Sequence, residues 1–154
     1  MELKTKVQAE ENKQELVITR EFELPVELLF KAYEDPEIVA QWMGTKVVKL
    51  ENKRYGIWQF ETSHDGNIVF SANGVILEFI PNQSITRTFK MENSPFPNQL
   101  EFLEFESLTA NTSKLTMQIV FKSVDFRNQL LKMPFAQGLN MAHNRLQEIA
   151  KNIK

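Results

Sequence analysis

The sequence predicts an α+β fold: a curved antiparallel sheet of about six or seven strands around a long C-terminal helix, with two short helices after the first strand. Three observations carry this expectation. Short apolar and alternating runs succeed one another between residues 46 and 121, with separators too short for the parallel crossover of a dozen or more residues. Residues 124–154 switch from period 2 to the helical period. Between the first strand and the rest, Pro25 and Asp35-Pro36 cut the chain into two short helical pieces. A chain of 154 residues suits one domain over residues 1–154, with 1–13 able to extend the sheet as a further strand.

The first strand is Glu15 to Phe22, with Leu16, Ile18 and Phe22 on one face. Pro25 suits the first position of a helix, and Val26, Leu29, Phe30 and Tyr33 recur at helical spacing behind it. Asp35-Pro36 stops that helix and opens the next, Glu37 to Trp42. After Gly44 the predicted strands are 46–50, 55–61, 68–80, 85–90, 100–108 and 115–121. They are punctuated by His64-Asp65-Gly66-Asn67, Pro81-Asn82, Ser94-Pro95-Phe96-Pro97 and Ala110-Asn111. Helices then cover one face of the sheet, an α+β arrangement rather than a doubly wound one. From Val124 onward one continuous helix is expected, with Phe135, Leu139, Ala142, Leu146, Ile149 and Ile153 on one stripe and Asn140, Asn144, Gln147 and Lys151 opposite.

Composition removes several function classes. Cysteine is absent, which excludes disulfides, thiolate metal sites and cysteine nucleophiles and favours a reducing compartment. The N-terminal residues hold no signal-type apolar core, and no run approaches the roughly 20 apolar residues of a membrane span; a cytoplasmic location is expected. The 18 basic and 20 acidic residues are interspersed, giving a net charge of −2. Nucleic-acid binding needs clustered Lys and Arg, so that partner is not expected. Two histidines without HxxH spacing supply no metal site, and no GxSxG, P-loop or GxGxxG motif is present, so no cofactor is expected. Twelve Phe, two Trp and two Tyr remain as the compositional signal, since large aromatics line big cores and apolar pockets.

Five pieces in order resemble a known family. Ile18-Thr19-Arg20-Glu21-Phe22, then Pro25 with Leu28, Phe30 and Ala32, then Asp35-Pro36-Glu37 and Trp42 are similar to its opening strand, helix pair and tryptophan. Gly74 through Glu78-Phe79-Ile80-Pro81 is similar to its central G-x-x-x-E-[hydrophobic]-x-P strand, and Phe121, Arg127, Gly138 and Arg145-Leu146 to its C-terminal pattern. The family is the one named for homology to the activator of the 90-kDa heat-shock protein ATPase, within the START-like (SRPBCC, polyketide cyclase/dehydrase and lipid-transport) superfamily. Tyr55-Gly56 departs from its usual Gly pair, which bears on local strand curvature, and Trp42-Met43 from its frequent Trp pair. The resemblance implies the helix-grip, START-like or Bet v-like fold. The superfamily carries cyclases, hydroxylase components, lipid carriers and chaperone regulators on one scaffold, so function must be read from the site.

The expected function is non-catalytic binding of a small hydrophobic or amphipathic ligand in an internal cavity. The alternatives are a chaperone- or protein-interaction module and a cyclase- or hydrolase-like enzyme using the same cavity. A sheet face bearing bulky residues opposite the small Gly138 and Ala142 leaves space, and the expected wall is Trp42, Trp58, Phe60, Phe70, Phe102, Phe121, Phe135 and Met141, with His143 at the mouth as an acid or base near neutral pH. Glu78 shares an alternating face with Ile76 and Ile80, and a buried carboxylate must be paired or protonated. It reads either as half of a buried ion pair with Arg20 or Arg87 or, with them, as a polar anchor for a ligand. No residue is assigned as catalytic, His64 reads as a solvated turn residue, and a monomer or homodimer is expected.

Overall fold

The computed structural model describes residues 3–153; Met1, Glu2 and Lys154, which the sequence reading places in the N-terminal segment and the last helix, lie outside the described residues. In chain order the elements are β1 (Lys6–Gln8), β2 (Glu15–Phe22), α1 (Val26–Glu34), α2 (Pro36–Met43), β3 (Lys46–Leu50), β4 (Ile57–His64), β5 (Asn67–Ile80), β6 (Ser84–Met91), β7 (Gln99–Thr109), β8 (Thr112–Val120), α3 (Val124–Leu131) and α4 (Phe135–Ala150). The strands form one sheet in the order β1-β2-β8-β7-β6-β5-β4-β3, with antiparallel neighbours throughout. The predicted α+β class, strand run and helix pair are all present, and the antiparallel hairpins follow from the short connections.

Local chemistry explains the helix pair. The Asp35 carboxylate accepts from the Glu37 backbone N–H at 2.9 Å, Pro36 takes the first helical position, and Gly44 closes α2 at φ 63°, in the left-handed region that favours glycine. The Trp42 indole N–H donates to the Ala32 carbonyl at 2.7 Å and fastens the two helices together. Beneath them the main core joins Leu16, Ile18, Leu29, Phe30, Leu103 and Leu115 to Leu146 and Ala150 of α4. A smaller core lies under β4 and β5, around Trp58, Phe60, Ala72 and Ile76.

Four features add to or depart from the sequence expectation. The first is the N-terminal extension of the sheet, present as the short strand β1 with one charged residue of its three, which pairs with β2 from Lys6↔Thr19 to Gln8↔Val17. The second is a break in the final helix, because Pro134 carries no N–H and its ring clashes with the preceding turn; α3 ends at Leu131 and α4 begins at Phe135. The third is a register shift in β5 between Ile76 and Glu78. The extra residue turns Glu78 away from the face of Ile76, so Glu78 is exposed while Ile76 is buried. The fourth concerns β7, whose inner face is Gln99, Glu101, Leu103 and Phe105.

At the departure from the family's Gly pair, Tyr55 itself adopts φ 67°. Gly56 is indispensable, since a Cβ there would lie 2.0 Å from the Glu51 carbonyl oxygen. Among the described residues no helix is long and apolar enough to cross a membrane.

Candidate functional site

The C-terminal half of α4 is anchored by the buried Leu146 and Ala150, and the helix packs most closely on α2. Its N-terminal half stands off the sheet, with Phe135, Leu139 and Ala142 only half-buried and Gly138 exposed. A concavity of about 590 Å³ lies beneath it. Its walls are Phe135, Gly138, Leu139 and Ala142 of α4, Tyr33 of α1, Trp42 and Met43 of α2, Phe70 of β5, Phe89 and Met91 of β6, and Met117 and Ile119 of β8.

In this apolar lining sit Arg87 of β6 and Glu101 of β7, directly paired across the two strands. Arg87 Nε donates to Glu101 Oε1 at 3.0 Å, with the two residues 8% and 5% exposed. The guanidinium also lies over the Trp58 ring, 4.9 Å from its centroid. Trp58 is held from behind, its indole N–H donating to the Thr88 carbonyl at 3.0 Å. The Nη1 and Nη2 of Arg87 make no hydrogen bond among the described residues, and neither does the side-chain amide of Gln99, a residue that also borders the concavity; none of these atoms is sealed from solvent. Burial pushes the Tyr33 phenol well above its ordinary value; Arg87 opposes the shift and Glu101 adds to it, so the hydroxyl stays protonated near the pair.

A second polar cluster binds β2 and Thr5, the residue just before β1, to α4. Arg20 Nη1 and Nη2 donate to Asn140 Oδ1 at 3.1 Å and Asn144 Oδ1 at 2.9 Å. The Thr5 backbone N–H also donates to Asn140 Oδ1, and the Thr5 hydroxyl lies 2.6 Å from His143 Nδ1. His143 is fully buried, packed edge-on against Phe22, and its Nε2 has no hydrogen-bond partner. Burial first, and the Arg20 charge second, push its pKa down to about 3, so the imidazole is neutral at pH 7.

Residues 23–151 match the family model described as Activator of Hsp90 ATPase homolog 1-like protein. The chain belongs to that family. Solved structures agree on the fold. Protein Ms6760 from Mycobacterium smegmatis is 20% identical with a TM-score of 0.84, over 99% of each chain. A Rhodobacter sphaeroides protein is 15% identical with a TM-score of 0.85, over 97% of this chain and 99% of that one. A Staphylococcus epidermidis protein is 19% identical with a TM-score of 0.78, over 94% of each chain. At these identities the likeness concerns fold alone. No curated protein matches the chain.

In this Activator of Hsp90 ATPase homolog 1-like chain, Trp42, Phe70, Phe135 and Arg87 line the concavity. Trp58 and Phe60 instead form the smaller core behind Arg87. Phe121 is buried in the main core outside the concavity. Phe102 pairs with Gln118 and Thr86 on the face opposite Glu101, and Met141 is 52% exposed on the outer side of α4. His143 does not stand at the mouth, since its position on α4 turns it toward Phe22 and Thr5. Glu78 is no buried anchor; it is exposed, with its Oε1 3.5 Å from the Ser84 hydroxyl. Arg20 belongs to the cluster that joins β2 and Thr5 to α4, away from Arg87. His143 and Glu78 are therefore not brought together in the concavity. Glu101, Gln99 and Tyr33 were not anticipated; the signal for Glu101 was its opposite charge to Arg87 on the neighbouring strand. Among the described residues no group of three or more His, Asp or Glu is arranged for a metal ion.

Proposed function

We propose that this chain binds a small hydrophobic or amphipathic molecule beneath the N-terminal half of α4, without catalysing a reaction, and that it does so in the cytoplasm. The observation that carries this reading is the apolar concavity of about 590 Å³ under a helix that leaves the sheet uncovered there, a volume typical of small-molecule sites. The experiment is titration of the full chain with the uncharged dye Nile red. Saturable, roughly one-to-one enhancement is expected in the native protein, with loss in Gly138→Trp. Gly138 lines the space and nothing lies within 4 Å of a Cβ built there, so the indole has room to enter it. Equal dye binding by the variant overturns the reading.

A second reading, docking on a protein partner, is favoured by apolar residues on the outer face of the sheet. Ile57 and Val75 are directly paired and 44% and 37% exposed, with Leu77 nearby at 37%. Ile57→Lys separates the two readings: it weakens a protein complex and leaves dye binding unchanged.

A further inference from the structure

We infer that the molecule bound beneath α4 carries a carboxylate head that docks on the Nη1–Nη2 edge of Arg87, an inference that rests on the small-molecule reading above. The guanidinium is a fork of donors in a fixed plane. Glu101 occupies its Nε at 3.0 Å, and Trp58 lies against it at 4.9 Å, with the indole tied to Thr88. The remaining edge borders the concavity and makes no hydrogen bond among the described residues, although Arg87 is only 8% exposed. Solvent in the concavity can reach these donors, and the acceptor that matches two parallel N–H groups and can take the place of that water is a carboxylate.

Charge and donor count restrict the head further. The charged residues lining the concavity are Arg87, Glu101 and Arg145. Arg145 is held at the rim, its Nε donating to the Trp42 carbonyl at 3.0 Å. One positive charge is left in excess, which a monoanion neutralises and a phosphate dianion overshoots. Gln99 adds amide donors, and Tyr33 stays protonated and able to donate. An amine head would add to the excess positive charge, and the carboxylate of Glu101 is already paired with Arg87. An alcohol would offer a single oxygen to a two-pronged site. The apolar lining from Phe135, Leu139, Met117 and Ile119 suits an alkyl or aryl body behind the head.

The test is displacement of Nile red from the full chain at pH 7.5 by decanoate, 1-decanol and decylamine, which share a tail and differ in head. Decanoate is expected to displace the dye at least about tenfold more tightly than decanol, as follows from even one added charge-assisted pair, and decylamine to be weakest. Arg87→Gln alone strands the Glu101 charge, so the informative variant is Arg87→Gln with Glu101→Gln, which keeps the shape at 101, shortens the side chain at 87 and removes both charges. That protein is expected to lose the preference for decanoate over decanol. Equal affinities of decanoate and decanol for the wild-type chain, or an undiminished preference in the double variant, overturn the carboxylate assignment and leave the small-molecule reading standing. Failure of wild-type protein to bind Nile red overturns both.

Discussion

His143 makes stability depend on pH in a calculable way. Its imidazole is fully buried, beside Arg20 and against Phe22, and its folded-state pKa is about 3 against an ordinary 6.5. The folded state therefore holds the neutral form, while the unfolded chain takes up a proton below pH 6.5. Stability contributed by the neutral ring is complete above 6.5 and is lost as pH falls toward 3. The slope is about 1.4 kcal/mol per pH unit inside that window, so wild-type protein should lose about 2 kcal/mol between pH 7.5 and 5. Carboxylates titrate lower, at about 4, which makes pH 5 the sensible end point. The assay is urea unfolding at pH 7.5, 6 and 5 for wild type and for His143→Gln, whose amide can still reach the Thr5 hydroxyl. His64, with its side chain exposed beside Asp65, is present in both proteins and cancels. Wild type should steepen away from the variant as pH falls; parallel stability profiles would refute the argument.

Two further substitutions probe the scaffold. Leu146 is completely buried between α4 and the main core, so Leu146→Ala should cost about 2–5 kcal/mol, read from the urea midpoint; a loss below 1 kcal/mol, by the same scale, would detach α4 from the core. Tyr55 holds φ 67° with its ring 68% exposed, and Tyr55→Gly removes a left-handed strain of roughly 1–2 kcal/mol at a backbone-entropy cost of roughly 0.5–1 kcal/mol. The melting temperature should rise by a few degrees, about 2–4 °C for each kcal/mol in a chain this size, and a fall would count against the strain.

What could be read from the sequence followed the strength of its periodicities. Leu16, Ile18 and Phe22, or Leu115, Met117 and Ile119, alternate against residues of clearly different polarity, so strand and inward face were both legible. The segment from Leu100 to Leu108 has apolar residues in both phases, Leu100 and Phe102 against Leu103 and Phe105, so alternation alone could not settle that Glu101 points inward. Glu78 defeated the pattern for another reason. A register shift between Ile76 and Glu78 reverses the facing beyond it, and no turn residue announces the change. The break at Pro134 was written in the chain, but the strong stripe on either side made a continuous helix the simpler reading. His143, one step off that stripe, faces β2 and meets Thr5, the residue just before β1, a contact that no local pattern signals.

The strand order carries a consequence for how this molecule folds. β2, near the start of the chain, finds its principal partner in β8, with Glu15 opposite Val120 and Phe22 opposite Ser113. The hairpins from β3 to β8 close over neighbouring residues and can assemble as local units, whereas β2, paired otherwise only with the short β1, has no place in that sheet until β8 is present. Pairing across so wide a sequence separation carries a large loop-closure entropy and slows folding relative to a helical bundle of equal length. During that interval β8 offers an unpaired edge beside buried-type residues such as Leu115 and Ile119, a surface on which a second nascent chain can template. Residues that speed the docking of β2 therefore govern how much of the newly made chain reaches the folded state.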